Sequence, residues 1–282
     1  MTSSTDRVPR IELRDDGQIP QLGFGVWQIP QDQAVEAVTQ AFDVGYRHID
    51  TASAYQNEAQ VGQAFRASGL AREDVFVTTK LFNDMHGYEQ GKAALRESLG
   101  RLELEYVDLY LIHWPVPAND KYVDTWRALV DLQKEGLTRS IGVSNFQPAH
   151  LDRIVEATGV TPSVNQVELH PYLQQHGLIR EHEERGIHTE AWSPLAQGNV
   201  IDDPALKAIA DAHGKTTGQV VLRWHIQLGN IVFPKSTTPS RIAENFDIWD
   251  FHLTEDEMET IRGLDRGERL GPDPDSANFG AR

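Results

Sequence analysis

The sequence contains no cysteine, so neither disulfides nor thiol chemistry can hold it together or do its work. It also lacks any apolar run approaching the roughly 18 residues of a membrane span. The opening "MTSSTDRVPRIELRDD" has no apolar core of the kind a secretory signal needs. A cytoplasmic protein without membrane contact is therefore expected. Positive charge is scarce as well: 26 Lys and Arg stand against 42 Asp and Glu, a formal net charge of -16. That balance argues against broad electrostatic attraction to nucleic acid or to an anionic membrane. An anionic ligand must then be held by a local cationic cluster. Such a cluster is workable, because charges beyond a Debye length of roughly 8 Å are largely screened at physiological salt.

What is present is an alternation. A chain of 282 residues has room for one large domain or two small ones, and the pattern of elements decides. Short β-rich runs occur at 22–26, 47–50, 75–80, 107–113, 140–144, 164–169, 188–193 and 231–236. Amphipathic stretches such as "DQAVEAVTQAFDVG" and "PAHLDRIVEATG" separate them, several closed by glycine in the C-cap position. Eight βα units predict a parallel (β/α)8 TIM barrel of roughly 250 residues. Three segments fall outside the repeat. "RIELRDDGQIPQLG" reads as an N-terminal β-hairpin able to plug the closed end of the barrel. "GKTTGQVVLRWHIQLG" reads as an extra helix before the eighth strand, and "PDPDSANFGAR" is too rich in Pro, Asp and Gly to pack regularly. No linker is visible, so one domain is expected over 1–282, with 1–8 and 272–282 as flexible tails.

In such a barrel the chemistry sits at the carboxyl ends of the strands. The second strand ends in Asp50, the third in Lys80 and the fourth in His113, with Tyr55 in the loop after the second. Taken singly these residues are unremarkable: an Asp opening a loop is usually a turn or cap residue, and a Lys is usually solvated. Delivered by neighbouring strands to one mouth, they suit a Tyr acting as general acid. A phenol with a reference pKa near ~10 needs a neighbouring cation to stabilise its phenolate. Lys80 can supply that cation, Asp50 can keep Lys80 charged in a cleft, and His113 can donate a hydrogen bond that polarises a carbonyl.

The successive motifs "GYRHIDTASAYQNE", "TTKLFN", "LIHWP", "IGVSNF", "NQVELHP" and "PKSTTPSRIAEN" resemble those of the aldo-keto reductases, in order and spacing, from about Gly23 to Asn245. Bacterial reductases of the 2,5-diketo-D-gluconic acid type look most similar. The resemblance implies reduction of carbonyls with NADPH and a catalytic tetrad of Asp50, Tyr55, Lys80 and His113. It places Ser144, Asn145 and Gln166 on the nicotinamide carboxamide and Trp192 stacked on the ring. Ser193 and Leu195 fall near the pyrophosphate and its ribose. Lys235, Ser236, Thr237, Arg241, Glu244 and Asn245 fall at the adenosine end, where Lys235 and Arg241 would form the required cationic cluster. No GxGxxG occurs, "GFGVWQ" lacking the third glycine, so the dinucleotide would bind outside any Rossmann unit. Trp27, Phe82, Asn83 and Trp114 are expected to rim a pocket for a small carbonyl compound. Phe82 stands where many members of the family have Trp, and Trp192 where many have Tyr or Phe.

An NADPH-dependent carbonyl reductase, acting as a monomer on a small-molecule substrate without a metal, is the first expectation. A cofactor-binding barrel serving as a regulatory or structural subunit is the alternative. Without the resemblance, an enzyme of phosphorylated sugars would also fit, because the end of the eighth strand often binds phosphate.

Overall fold

A computed structural model describes residues 7–15 and 17–280. Asp16 of the expected hairpin turn, and residues 1–6 and 281–282 of the expected tails, lie outside them. Eight parallel strands form the barrel wall: β3 (Phe24–Gly25), β4 (His48–Asp50), β5 (Phe76–Leu81), β6 (Val107–Ile112), β7 (Thr138–Ser144), β8 (Val164–Glu168), β9 (His188–Trp192) and β10 (Ile231–Val232), each hydrogen-bonded to the next in sequence. The seam between first and last closes through a parallel bridge from Leu22 to Val232 and through Gly23 N donating to Val232 O at 2.7 Å. Gly25 is required there, since a Cβ at that position would meet Phe233 O at 2.7 Å. β10 is shorter than the expected 231–236 because Pro234 has no N–H to give to a ladder. β9 stops at Trp192 because Ser193 turns to φ 49.

Helices α1 (Gln31–Val44), α2 (Glu58–Ser68), α3 (Tyr88–Leu102), α4 (Tyr122–Lys134), α5 (Pro148–Thr158) and α6 (His176–Arg185) follow β3 to β8 in turn. α1 ends at Gly45, at φ 124, and α5 at Gly159, at φ 71, as the glycine positions imply. Two helices, α7 (Pro204–His213) and α8 (Thr217–Gln227), precede β10, and α9 (Pro239–Phe246) and α10 (Glu255–Arg262) follow it. α8, expected as the addition, packs on β10 and belongs to the outer ring. The additions are α7 and α10, which pack together. No helix of the described residues is long and apolar enough to cross a membrane.

The hairpin forms as expected from β1 (Arg10–Glu12) and β2 (Gln18–Pro20), with Ile11 opposite Ile19. Ile19 is fully buried and, with Leu13, packs on Phe76, Leu109, Leu111, Val164 and Ile231. Three of these open their strands, so the hairpin seals the amino end of the barrel. Burial of an Ile or Leu on this scale contributes about 1.5–3 kcal/mol. Asp15 fastens the plug by accepting from Ser140 Oγ at 2.7 Å, Gln133 Nε2 at 2.9 Å and Ser163 Oγ at 3.0 Å.

Candidate active site

Alternation along β5 stacks three layers in the barrel. Phe76 meets the plug, Thr78 Oγ1 lies 3.1 Å from His48 Nε2, and Lys80 reaches the open end. Lys80 is fully buried, and its Nζ donates to Asp50 Oδ1 at 2.6 Å, Thr51 O at 2.8 Å and Tyr55 Oη at 3.4 Å. An ammonium has three hydrogens, and all three are directed. Because Tyr55 accepts from a group that can only donate, its own hydrogen stays available for another acceptor.

The loop carrying Tyr55 is pinned from several sides. Ser53 Oγ donates to Lys80 O at 3.0 Å, and Asn57 Nδ2 donates to Val26 O at 2.9 Å and Ile29 O at 3.2 Å. His113 follows β6 directly, its N–H donating to Leu81 O at 3.1 Å and its carbonyl accepting from Asn145 Nδ2 at 3.0 Å. The imidazole stands edge-on between Tyr55, centroids 5.8 Å apart, and Phe82, 5.9 Å apart. The four expected tetrad residues therefore converge.

Burial opposes the charge on Lys80, but Asp50 and then Tyr55 outweigh it and hold the ammonium above its ordinary value. Burial likewise pushes the Asp50 carboxyl up, while Lys80 and Gln166 pull against it. The 2.6 Å contact with a water-free ammonium is the arrangement of an ionised pair. Desolvation raises Tyr55 more than Lys80 lowers it, so the phenol keeps its proton at neutral pH. Desolvation, then Lys80 and His86, lower His113 well below its ordinary value, so the imidazole is neutral.

On the neighbouring strands, Ser144, Asn145, Gln166 and Trp192 form one network. Ser144 Oγ donates to Gln166 O at 2.8 Å, and Asn145 Nδ2 donates to Ser144 Oγ at 3.0 Å. Trp192 Nε1 donates to Asn145 Oδ1 at 2.9 Å, which fixes the half-buried indole at the mouth. Gln166 Nε2 points inward to Asp50 Oδ2, at 2.9 Å, and to Glu190 Oε2, at 2.7 Å. Half-buried Ser193 and Leu195 follow in the loop after β9. A Cβ on Gly218 would lie 3.9 Å from both Leu195 Cδ1 and Asn245 Oδ1, so this loop faces α9 across the start of α8. Beside it, Glu244 Oε1 accepts from Thr216 Oγ1 at 2.9 Å and Ser236 Oγ accepts from Thr238 N at 3.0 Å. Lys235, Thr237 and Arg241 are exposed. Neither cation forms an ion pair among the described residues, where most other exposed cations do.

The expected substrate residues divide. Phe82 lies against His113, and Trp114 is buried between Trp192 at 6.5 Å and Phe279 at 5.2 Å. Trp27 stands 42% exposed. Asn83 is fully buried, and its Nδ2 donates to Phe279 O at 2.8 Å, so its amide is committed to the C-terminal segment. That segment has no helix or strand over 272–280, as its composition implies, yet it lies over the mouth. Ala277 packs with Trp114 and Val116, and a Cβ on Gly280 would meet Phe82 at 2.7 Å. The anchor is Glu168, fully buried, which accepts from Leu270 N at 2.7 Å, Gly271 N at 2.9 Å and His170 Nε2 at 3.1 Å. Sequence reasoning missed Glu168, Glu190 and the packed tail. The only available signals were an acid at the end of β8 and another in the middle of β9.

Known proteins resemble the chain in sequence and in fold. The chain is 54% identical over 267 residues to the methylglyoxal reductase DkgA of Escherichia coli K12, covering 94% of this chain and 96% of that one. It is 55% identical over 271 residues to an aldo-keto reductase of Mycolicibacterium smegmatis, covering 96% and 98%. A crystal structure of a Gox0644 mutant in complex with NADPH superposes with a TM-score of 0.93 at 47% identity, covering 96% and 99%. The model of the aldo/keto reductase family matches residues 21–266, and with the barrel, its plug and the converged side chains in place, the chain belongs to that family.

Proposed function

We propose that the protein is an NADPH-dependent reductase of aldehydes, ketones and dicarbonyls of the methylglyoxal or diketo-sugar kind. One observation carries the reading: a buried ammonium bonded to Asp50 and touching the phenol of Tyr55 at an open barrel mouth. The residues present suit the dinucleotide. Lys235 and Arg241 are exposed cations without ion-pair partners among the described residues, and Trp192 offers a fixed aromatic face. Gln166 Oε1, with no partner among the described residues, is an acceptor for a carboxamide N–H. Bound NADPH would supply a hydride for the carbonyl carbon.

The protein's own groups handle the oxygen. Neutral His113 donates a hydrogen bond to it, and Tyr55 delivers its proton as negative charge develops. Lys80 stabilises the phenolate left behind, so its effect is larger in the transition state than at rest. Asp50 keeps Lys80 charged. The substrate enters between Trp27, Phe82 and Trp114, with the tail as the remaining wall. We read the enzyme as a cytoplasmic monomer. Loss of NADPH absorbance with methylglyoxal and with diketo-sugars, for wild type and Tyr55→Phe, tests the reading. Absence of turnover by wild type across such a panel would overturn it, and a single species of monomer mass in light scattering checks the monomer.

A further inference from the structure

A second buried acid lies under the tetrad. Glu190 is fully buried on β9, paired in register with Gln166 on β8. Gln166 Nε2 has two hydrogens, and the structure gives one carboxyl group to each: Asp50 Oδ2 at 2.9 Å and Glu190 Oε2 at 2.7 Å. Turning that amide over would wedge its carbonyl oxygen between two carboxyl groups. Its Oε1 is thereby held away from them. Glu190 Oε1 has no hydrogen-bond partner among the described residues. An unbonded carboxyl oxygen in a sealed interior costs stability, so its retention asks for a role.

Building on the reductase reading above, we propose that Glu190 is a positioning residue. It holds the amide of Gln166 with its NH2 inward, and its charge is felt at Lys80 and Tyr55 through Asp50. The groups facing it are few. β4 supplies Asp50, β5 supplies Lys80, β8 supplies Gln166, and β10 places Ile231 beside it in register. Burial and then Asp50 push Glu190 up to about 8, with Gln166 and Lys80 pulling against them. Below that pH the floor carries only the Lys80–Asp50 pair. Above it, an added negative charge beside Asp50 makes loss of the Tyr55 proton harder, so reduction slows as Glu190 ionises.

The experiment follows wild type, Glu190→Gln and Glu190→Ala. In wild type labelled with 13C at glutamate carboxyls, one resonance should titrate near pH 8 and be missing from Glu190→Gln. The falling alkaline limb of kcat should move upward by about one pH unit in Glu190→Gln, because a neutral isostere cannot ionise. Glu190→Gln still accepts from Gln166 and should keep the NADPH dissociation constant. Glu190→Ala frees the amide and should raise that constant on the order of threefold to tenfold. Superimposable pH profiles, or equal cofactor affinity in all three proteins, would overturn the proposal. An inactive wild type would instead sink the reductase reading, and the NADPH affinities would still decide the role of Glu190.

Discussion

At the ends of β4 and β5, Asp50 and Lys80 are sealed from solvent and joined at 2.6 Å, whereas beyond β10 Lys235 and Arg241 stand in water and make no ion pair among the described residues. The first region carries its charges as a matched set, each desolvated group compensated by another. A lone charge there would cost several kcal/mol. The second keeps its cations hydrated and free for an anion, in a chain whose net charge of -16 would otherwise repel one. On the function proposed above, chemistry would be prearranged in a dry place and the ligand's charge caught in a wet one.

Substitutions sharpen that contrast, beginning at the dry end. Tyr55→Phe and Lys80→Met should each lower kcat by roughly 10²–10⁴ while leaving NADPH binding within a few fold, since they remove the acid or its supporting cation and little of the cofactor's surroundings. Turnover near wild type in either variant would remove that residue from the mechanism. At the wet end, a charge-assisted contact to the extra phosphate of NADPH is worth roughly 1.5–3 kcal/mol. Arg241→Ala should therefore raise the NADPH dissociation constant roughly tenfold to a hundredfold and barely affect NADH. Rising salt should likewise weaken NADPH binding more than NADH binding. Equal losses for both cofactors would erase the distinction between the two regions.

Trp192 lies between these extremes, half-buried and held by its N–H to Asn145. NADPH should quench tryptophan fluorescence, and Trp192→Ala should reduce the quench and weaken binding several-fold. An undiminished quench would point to another of the 6 Trp. The smallest effect concerns the tail anchor. Burial opposes ionisation of Glu168, but His170 and the amides of Leu270 and Gly271 outweigh it, leaving the carboxyl below its ordinary value of 4.5. A depressed acid stabilises the folded state above its unfolded value and loses that contribution as pH falls through the folded one. The anchor is thus intact at neutral pH and released only in acid. Amide exchange over 269–280 should be faster in Glu168→Gln at neutral pH, and exchange identical to wild type would show that the anchor holds nothing.

The sequence made the strand ends legible to within a residue: Asp50 closes β4 as expected, whereas β5 runs one residue past Lys80 to Leu81 and β6 stops at Ile112, just before His113. The hairpin was found by Asp-Asp-Gly-Gln between apolar runs. Glu190 escaped because an acid in a short strand reads as facing water, and only closure of the wall puts that face inside. The packed tail escaped for another reason. Its hydrogen bonds to the mouth and anchor use its backbone atoms, such as Phe279 O and the amides of Leu270 and Gly271, and a backbone donor or acceptor leaves no mark on residue choice in the tail. α8 was misassigned as the addition because amphipathicity shows that a helix has an apolar face, but not which partner covers it.

The seam where β3 meets β10 also governs how the protein is made. Everything that defines the tetrad has been synthesised by His113, yet the strand that closes the wall begins only at Ile231. At roughly 5–20 residues per second, about 10–40 s separate the two edges on the ribosome. Through that interval the nascent chain carries β3 with one side unpaired, a hazard for association with other chains. The enzyme is born with its reactive residues early and its enclosure last.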